Sequence, residues 1–282
     1  MENKNWMKYL IIFIGVCVLF TCGYVVYSTY SSGKNLEQKE ETNETVKTEN
    51  SEQKEDNKTD VGVEIDANST IVTTVMSNFE PFFNMAVGRT YQNYFHKGNS
   101  YTNDSLGSDV KTVLAIYPFM RDKTYTVSSD GKKALISGAD VRSNVQKIFG
   151  KNSKYENTSL NGGYCTYADG TYIAQSDQYQ MVIPNRCGGT GGYYIINKVE
   201  KATEYSDRLE IVEKSGVLEL DGKLYNNINK QKLIASNLET TNMPQEYKDK
   251  IYQQYKDQFD SYTYVFKKDN GNYYFDSITY NG

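Results

Sequence analysis

The sequence predicts an α+β fold carried behind an N-terminal transmembrane helix and a disordered tether, with helices first and a curved antiparallel sheet after them. Three observations predict it. Residues 9–30 are apolar and uncharged, residues 31–68 are polar and acidic, and the apolar spacing of the remainder turns from helical to alternating after Gly150. The expected segments are a cytoplasmic tail 1–8, a membrane span 9–30, a tether 31–68 and one extracytoplasmic domain 69–282. A seam within that domain, if there is one, falls near 226–243.

The run Tyr9 to Tyr30 reads YLIIFIGVCVLFTCGYVVYSTY. At 1.5 Å per residue it extends about 33 Å, enough for a hydrocarbon core of roughly 30 Å. Trp6 and Tyr9 at one end, and Tyr27 and Tyr30 at the other, match the aromatic belts of the two interfaces. Lys4 and Lys8 precede the run and acids dominate beyond Lys34, which places the N-terminus in the cytoplasm. A cleaved signal peptide has a shorter apolar core and small residues at its cleavage site. Leu19-Phe20-Thr21-Cys22 resembles a lipobox, but Thr21 stands where a smaller residue belongs and Gly23-Tyr24-Val25-Val26 continues the apolar run. An uncleaved anchor is the better reading, with Cys17 and Cys22 as small lipid-facing residues.

The net charge of -4 is concentrated in residues 31–60, where nine acids face five lysines. Such a stretch repels itself and buries too little apolar surface to order, so it reads as a coil holding the domain about 35 Å from the bilayer. Residues 61–282 are then close to neutral, without the basic face that nucleic acid requires. The 26 tyrosines fit A/T-rich codon usage and also suit half-buried strand surfaces.

In the folded part, Ile71 to about Phe95 has mixed helical spacing, and Pro81 implies two short helices or a kink. Ser108 is placed to cap a helix through Val110, Val113, Leu114 and Tyr117, ended by Pro118. Tyr125–Val127 and Ala134–Ile136 flank a turn at Ser129-Asp130-Gly131. Asp140 then caps a helix bearing Val141, Val145, Ile148 and Phe149, closed by Gly150. Strands are expected at Tyr164–Tyr167, Thr171–Gln175, Tyr179–Ile183, Tyr193–Lys198, Leu209–Glu213, Val217–Leu220 and Lys223–Tyr225. Asp169-Gly170 and Asp221-Gly222 serve as hairpin turns. Pro244 opens a helix through Tyr247, Ile251, Tyr255 and Phe259. Tyr262–Phe266, Asp269-Asn270-Gly271 and Tyr273–Ile278 close the chain as a hairpin with Tyr262, Tyr264 and Phe266 on one face.

Cys165 and Cys187 are the only cysteines outside the apolar run. In an oxidising compartment they read as a disulfide. The competing chemistry is a thiol nucleophile, Cys187, activated by the sole histidine, His96. Sortases share the order of anchor, His and Cys, but Ile183-Pro184-Asn185-Arg186-Cys187 is not their Thr-Leu-x-Thr-Cys strand. Murein L,D-transpeptidase and cysteine amidase patterns are missing too. Following Phe95 at the end of a helical segment, His96 reads as solvated at a helix C-terminus. One histidine and a bridged cysteine pair cannot assemble a zinc site. Cys187 to Gly192 lacks the Lys-Ser/Thr ending of a phosphate loop, and no cofactor fingerprint is present. Tyr193, Tyr194, Tyr262, Tyr264 and Phe266 are candidate stacking rings for a cell-wall glycan, with core filling as the plainer role.

The anchor, the Glu/Lys/Asn/Thr tether, the stretch Asp140-Val141 through Ile148-Phe149-Gly150 and the closing Tyr-x-Tyr-x-Phe hairpin together resemble uncharacterised single-pass envelope proteins of low-GC Gram-positive bacteria. The layout is also similar to nuclear-transport-factor-2-like ectodomains of conjugation and type IV secretion proteins, although this domain is longer than one such unit. These resemblances imply a tethered extracytoplasmic domain and transfer no catalytic residue. The expectation is a non-enzymatic domain binding a protein partner or envelope polymer within a surface, secretion or conjugation assembly. The alternative is a cysteine-dependent envelope hydrolase or transpeptidase using Cys187 and His96.

Overall fold

A computed structural model describes residues 61–83, 87–163, 165–184 and 192–282. The apolar run 9–30, nearly all of the tether and Cys187 lie outside the described residues. Residues 58–282 form one unit.

The stretch read as tether contains a strand. Strand β1 (Val63–Ile65) pairs antiparallel with residues 202–204, and Ile65 packs on the core. Val61, Val63 and Ile65 alternate, a signal of only three residues that the surrounding polar composition conceals. The helical stretch that follows is broken, as Pro81 implies. It comprises α1 (Thr70–Ser77), a 3-10 turn at Glu80–Phe83, α2 (Gly88–Tyr91) and a second 3-10 turn at Tyr94–His96. Strand β2 (Tyr101–Thr102) leads through a 3-10 turn at Asn103–Ser105 into α3 (Ser108–Asp122).

Pro118 lies within α3 and does not end it. A proline there forfeits one helical hydrogen bond, but the following turn buries Met120, 1 % exposed, against the core. The helix stops at Lys123, in left-handed conformation. Gly107 occupies the cap position, and the Ser108 hydroxyl instead accepts the Glu156 N–H.

The hairpin of β3 (Thr126–Val127) and β4 (Lys133–Ser137) leads directly into α4 (Gly138–Phe149). Its cap is Ser137, whose hydroxyl accepts the Ala139 N–H, so Asp140 falls in the first turn, where its charge favours the dipole. Gly150 follows at φ +85°, a conformation costly for other residues.

Strand β5 (Leu160–Asn161) pairs with β6 (Asp169–Ile173), which pairs with β7 (Gln178–Val182). Asp169-Gly170 therefore lies in a strand and is not a turn. The chain instead reverses between β5 and β6, where the Gly162 N–H donates to the Ala168 carbonyl and residues 165–168 form a turn in place of the expected strand. Gly170 has to be bare here, because a Cβ would stand 2.5 Å from the Met181 sulfur.

Next come β8 (Tyr193–Glu204) and β9 (Arg208–Glu219), twelve residues each. The two runs expected at Leu209–Glu213 and Val217–Leu220 are one strand, continuous through Gly216, on which the Phe259 ring lies directly. Asp221-Gly222 turns the chain into β10 (Leu224–Tyr225), which pairs with β11 (Leu233–Ala235). Helix α5 (Gln245–Tyr255) begins after Pro244. Finally β12 (Asp260–Asp269) and β13 (Asn272–Tyr280) form a hairpin whose Asn270 and Gly271 both have positive φ, the geometry of a two-residue primed turn.

The result is α+β with two antiparallel sheets. The larger runs β1-β8-β9-β12-β13-β2 with β10 and β11 attached, and the smaller runs β3-β4-β7-β6-β5. Helix α4 packs on β13 of one sheet and β4 of the other, and against α3. The main core spans both sheets. At its centre Phe79 meets the rings of Phe95, Tyr264, Phe266 and Phe275 at 5.1–5.9 Å. A smaller core joins α5 to Ile196, Leu218 and Leu224 and takes in Ile234 and Leu238, so the 226–243 stretch packs on the same sheet. Register shifts mark bulges at Glu200 in β8 and Asp276 in β13. Bulges bend a strand and re-aim a side chain, and Glu200 is turned to accept hydrogen bonds from Tyr252 and Lys256 at α5.

Candidate functional site

Strand alternation explains the most reactive-looking cluster. In β9, residues Leu209, Ile211, Glu213 and Ser215 face inward, which carries a carboxylate onto an apolar face. His96, 3 % exposed, sets its Nε2 2.9 Å from Glu213 Oε2. The Tyr264 hydroxyl donates to the same oxygen at 3.0 Å, and Asn197 Nδ2 donates to Oε1 at 2.6 Å. Phe83 and Tyr262 each hold a ring 4.6 Å from the imidazole. Beside it Asn93, left-handed at φ +53°, donates to the Tyr193 hydroxyl at 2.6 Å. Asn93 Oδ1 and His96 Nδ1 find no hydrogen-bond partner among the described residues.

This corrects the solvated His96 of the sequence reading. Its turn is pulled in because both Phe95 and His96 are buried, and Glu213 supplies a partner 117 positions away. A carboxylate, an imidazole and a phenol in contact could pass a proton. However, Glu213 and Tyr264 are as deeply buried as His96, so among the described residues the cluster presents no open face to a substrate. The cluster instead ties the Tyr94–His96 turn to β8, β9 and β12.

Burial, reinforced by the Glu213 charge, raises the Tyr264 pKa well above its ordinary 10.0. Burial likewise raises those of Tyr179, Tyr252 and Tyr262. A group whose folded pKa is raised contributes stability that is complete below the unfolded value and lost as pH climbs towards the folded one. Stability is therefore expected to fall steadily above pH 10. In a combined absorbance and circular-dichroism titration, these tyrosines should ionise only together with unfolding. Ionisation of all tyrosines before any loss of structure would contradict the burial assigned to them.

Of the candidate stacking rings, Tyr262, Tyr264 and Phe266 are exposed by 1 % or less and belong to the core, so no sugar can lie on them. Tyr193 and Tyr194 are half-buried, their hydroxyls tied to Asn93 and to the Thr240 carbonyl. Cys165 is disulfide-bonded, in left-handed conformation at φ +69°, and Cys187 lies outside the described residues. Among the described residues, no three His, Cys, Asp or Glu side chains come together as a metal site would need, and no helix is long and apolar enough to cross a membrane.

Two open grooves lie where the β12–β13 hairpin meets the C-terminal end of α4, and a smaller one lies between the end of α3 and β3–β4. One groove of about 710 Å³ runs between the hairpin and residues 149–153, and its wall includes Asn103, Asp276 and Tyr274. A second, of about 740 Å³, runs between the hairpin and α1. Asn272 and Tyr274 line both. The wall of the first is braced from below by Lys111, which is fully buried and donates to Ser153 Oγ and the Lys154 carbonyl, both at 2.8 Å. Ser153 in turn donates to Asn103 Oδ1, and Asn103 Nδ2 donates to the Phe149 carbonyl. Sequence reasoning passed over these residues because loop asparagines and aspartates carry no periodic signal. The visible hint was a lysine at position 111, on the apolar face of a helix.

The fold and its grooves define an α+β domain built on two antiparallel sheets, with open grooves on its surface and a buried polar cluster beside its aromatic core. No protein-family model, curated protein or solved structure matches the chain.

Proposed function

We propose that this chain is a non-enzymatic ectodomain, anchored by residues 9–30 with its N-terminus in the cytoplasm, that binds an envelope polymer or a protein partner within a surface, secretion or conjugation assembly. One observation carries the binding part of the reading. Among the described residues the His96–Glu213–Tyr264 cluster is buried, while the surface beside the last hairpin is grooved and lined by both polar and apolar groups. A cysteine-dependent hydrolase would need His96 beside a thiol in a solvent-filled cleft, and His96 is 3 % exposed and held by Glu213. The anchor rests on the apolar run and its flanking charges.

The test is protease treatment of intact cells carrying the full chain, followed by co-sedimentation of the detergent-solubilised chain with insoluble envelope polymer and crosslinking on cells. The C-terminal domain is expected to be digested from outside, and the chain to pellet with polymer or to crosslink to one dominant partner. Protection of the domain in intact cells defeats the topology. Failure in both capture assays defeats the binding reading.

Cys187 is the only other cysteine after residue 30, and we infer that it is the partner of Cys165. Mass spectrometry of the alkylated chain should find both thiols blocked until reduction. Removing the bridge should cost about 3 kcal/mol, from the entropy of a loop of this length. Ready alkylation of Cys187 without reduction would refute the pairing.

A further inference from the structure

Resting on the binding reading, we propose that the groove between the β12–β13 hairpin and residues 149–153 is a saccharide site that takes a short acetamido-sugar oligomer. Its volume of about 710 Å³ lies in the range of small-ligand sites. Two lysines and three aspartates line it, so it presents no field of one sign, and Lys267 and Asp276 neutralise each other at 2.6 Å. That balance disfavours a phosphate or a polyanion and suits an uncharged ligand rich in hydroxyls. Side-chain amides such as Asn103 and Asn272 both donate and accept, which matches the acetamido group, itself donor and acceptor. Tyr274 supplies a half-buried ring in the same wall, and an aromatic face suits the C–H surface of a pyranose.

Two features show that this wall is held in place and not merely polar. Lys111 is fully buried, and among the described residues no carboxylate lies within ion-pair distance of its ammonium, whose pKa burial lowers. A buried ammonium so placed is expensive, and what it does here is fix Ser153 and, through it, Asn103. Each polar group of Asn103 makes one internal bond, which leaves one N–H and one lone pair free for a ligand. Independently, the bulge in β13 places Asp276 as the extra residue of the strand, turned into the groove. Polar groups fixed before binding lose less entropy when a ligand arrives.

The experiment is calorimetric titration of the full chain in detergent with a β-1,4-linked N-acetylglucosamine tetramer, against the glucose tetramer of the same linkage. Saturable binding of the acetamido tetramer is expected, tighter than the glucose tetramer by about tenfold, or about 1.4 kcal/mol. Tyr274→Ala should weaken it by at least about tenfold. Asn272→Ala, at an exposed position where folding is not at stake, should weaken it measurably with an unchanged melting temperature. Absence of saturable binding, or affinity unaltered in both variants, overturns the assignment. Co-sedimentation with envelope polymer separates the two levels. If the chain pellets and both variants pellet equally, the groove is wrong and the ectodomain reading stands. If the chain neither pellets nor crosslinks to a partner, both fall.

Discussion

Glu213→Ala is expected to destabilise the domain by about 3–5 kcal/mol, the scale seen when one partner of a buried pair is removed. The substitution leaves three groups without their acceptor: His96 Nε2, the Tyr264 hydroxyl and Asn197 Nδ2. Neither the imidazole nor the phenol can reach water, since His96 is 3 % exposed and Tyr264 is fully buried. With a typical domain stability of about 5–15 kcal/mol, such a loss brings folding near its threshold. Urea unfolding followed by circular dichroism measures it directly. The combined change Glu213→Leu, His96→Leu and Tyr264→Phe should recover much of the loss, because replacing a buried polar set by apolar groups is often close to neutral. A loss below about 1 kcal/mol for Glu213→Ala, the size of an ordinary surface effect, would mean that the cluster is hydrated and accessible. The case for a closed interior would then fail.

Gly88→Ala is expected to be comparably severe for a different reason. Gly88 adopts φ +78°, and a Cβ there would lie 1.8 Å from the Gly162 carbonyl oxygen. The obstruction is backbone, so no rotamer change relieves it. A left-handed conformation for alanine and forced displacement of a packed neighbour each cost about 1–3 kcal/mol, so together about 2–6 kcal/mol. The contact joins the N-terminal helical segment to the end of β5 in the smaller sheet, so the damage should reach both sheets. Thermal unfolding of the variant against Gly131→Ala makes the comparison. Gly131 also has positive φ, but nothing lies within 4 Å of an added Cβ, so that variant isolates the conformational cost. Equal loss in the two variants would show that the close approach to Gly162 does not matter.

Much of the local structure was legible in the sequence because it is decided locally. The hairpins at Asp221-Gly222 and Asp269-Asn270-Gly271 need residues that accept positive φ, and only a few residue types do so cheaply. The apolar spacing from Val141 to Phe149 and the Gly150 stop define α4, and Pro244 fixes the start of α5. The alternation of Tyr262, Tyr264 and Phe266 put three rings on one face, which the structure turns into the core. The errors arose where a distant partner overrides a local preference. Pro118 remains helical because Met120 has a core to enter, and Gly216 does not divide β9 because Phe259 packs on it.

The candidate sites were almost wholly illegible, for the same reason. Glu213 could be placed on an inward face by its spacing from Leu209 and Ile211, yet nothing local says that His96 will meet it. A single histidine near a helical segment looks solvated until the sheet closes over it. The groove is built from the 3-10 turn at Asn103, the end of α4 and the last hairpin, segments brought together only by sheet order. By itself, then, the sequence determined an α+β domain with its turns, its late helix and its inward rings, because those follow from backbone conformation and periodicity. Which buried carboxylate meets the histidine, and which polar loops face one another across a groove, only the tertiary structure decided. Those pairings depend on register and on contacts across more than a hundred residues, which local preferences do not encode.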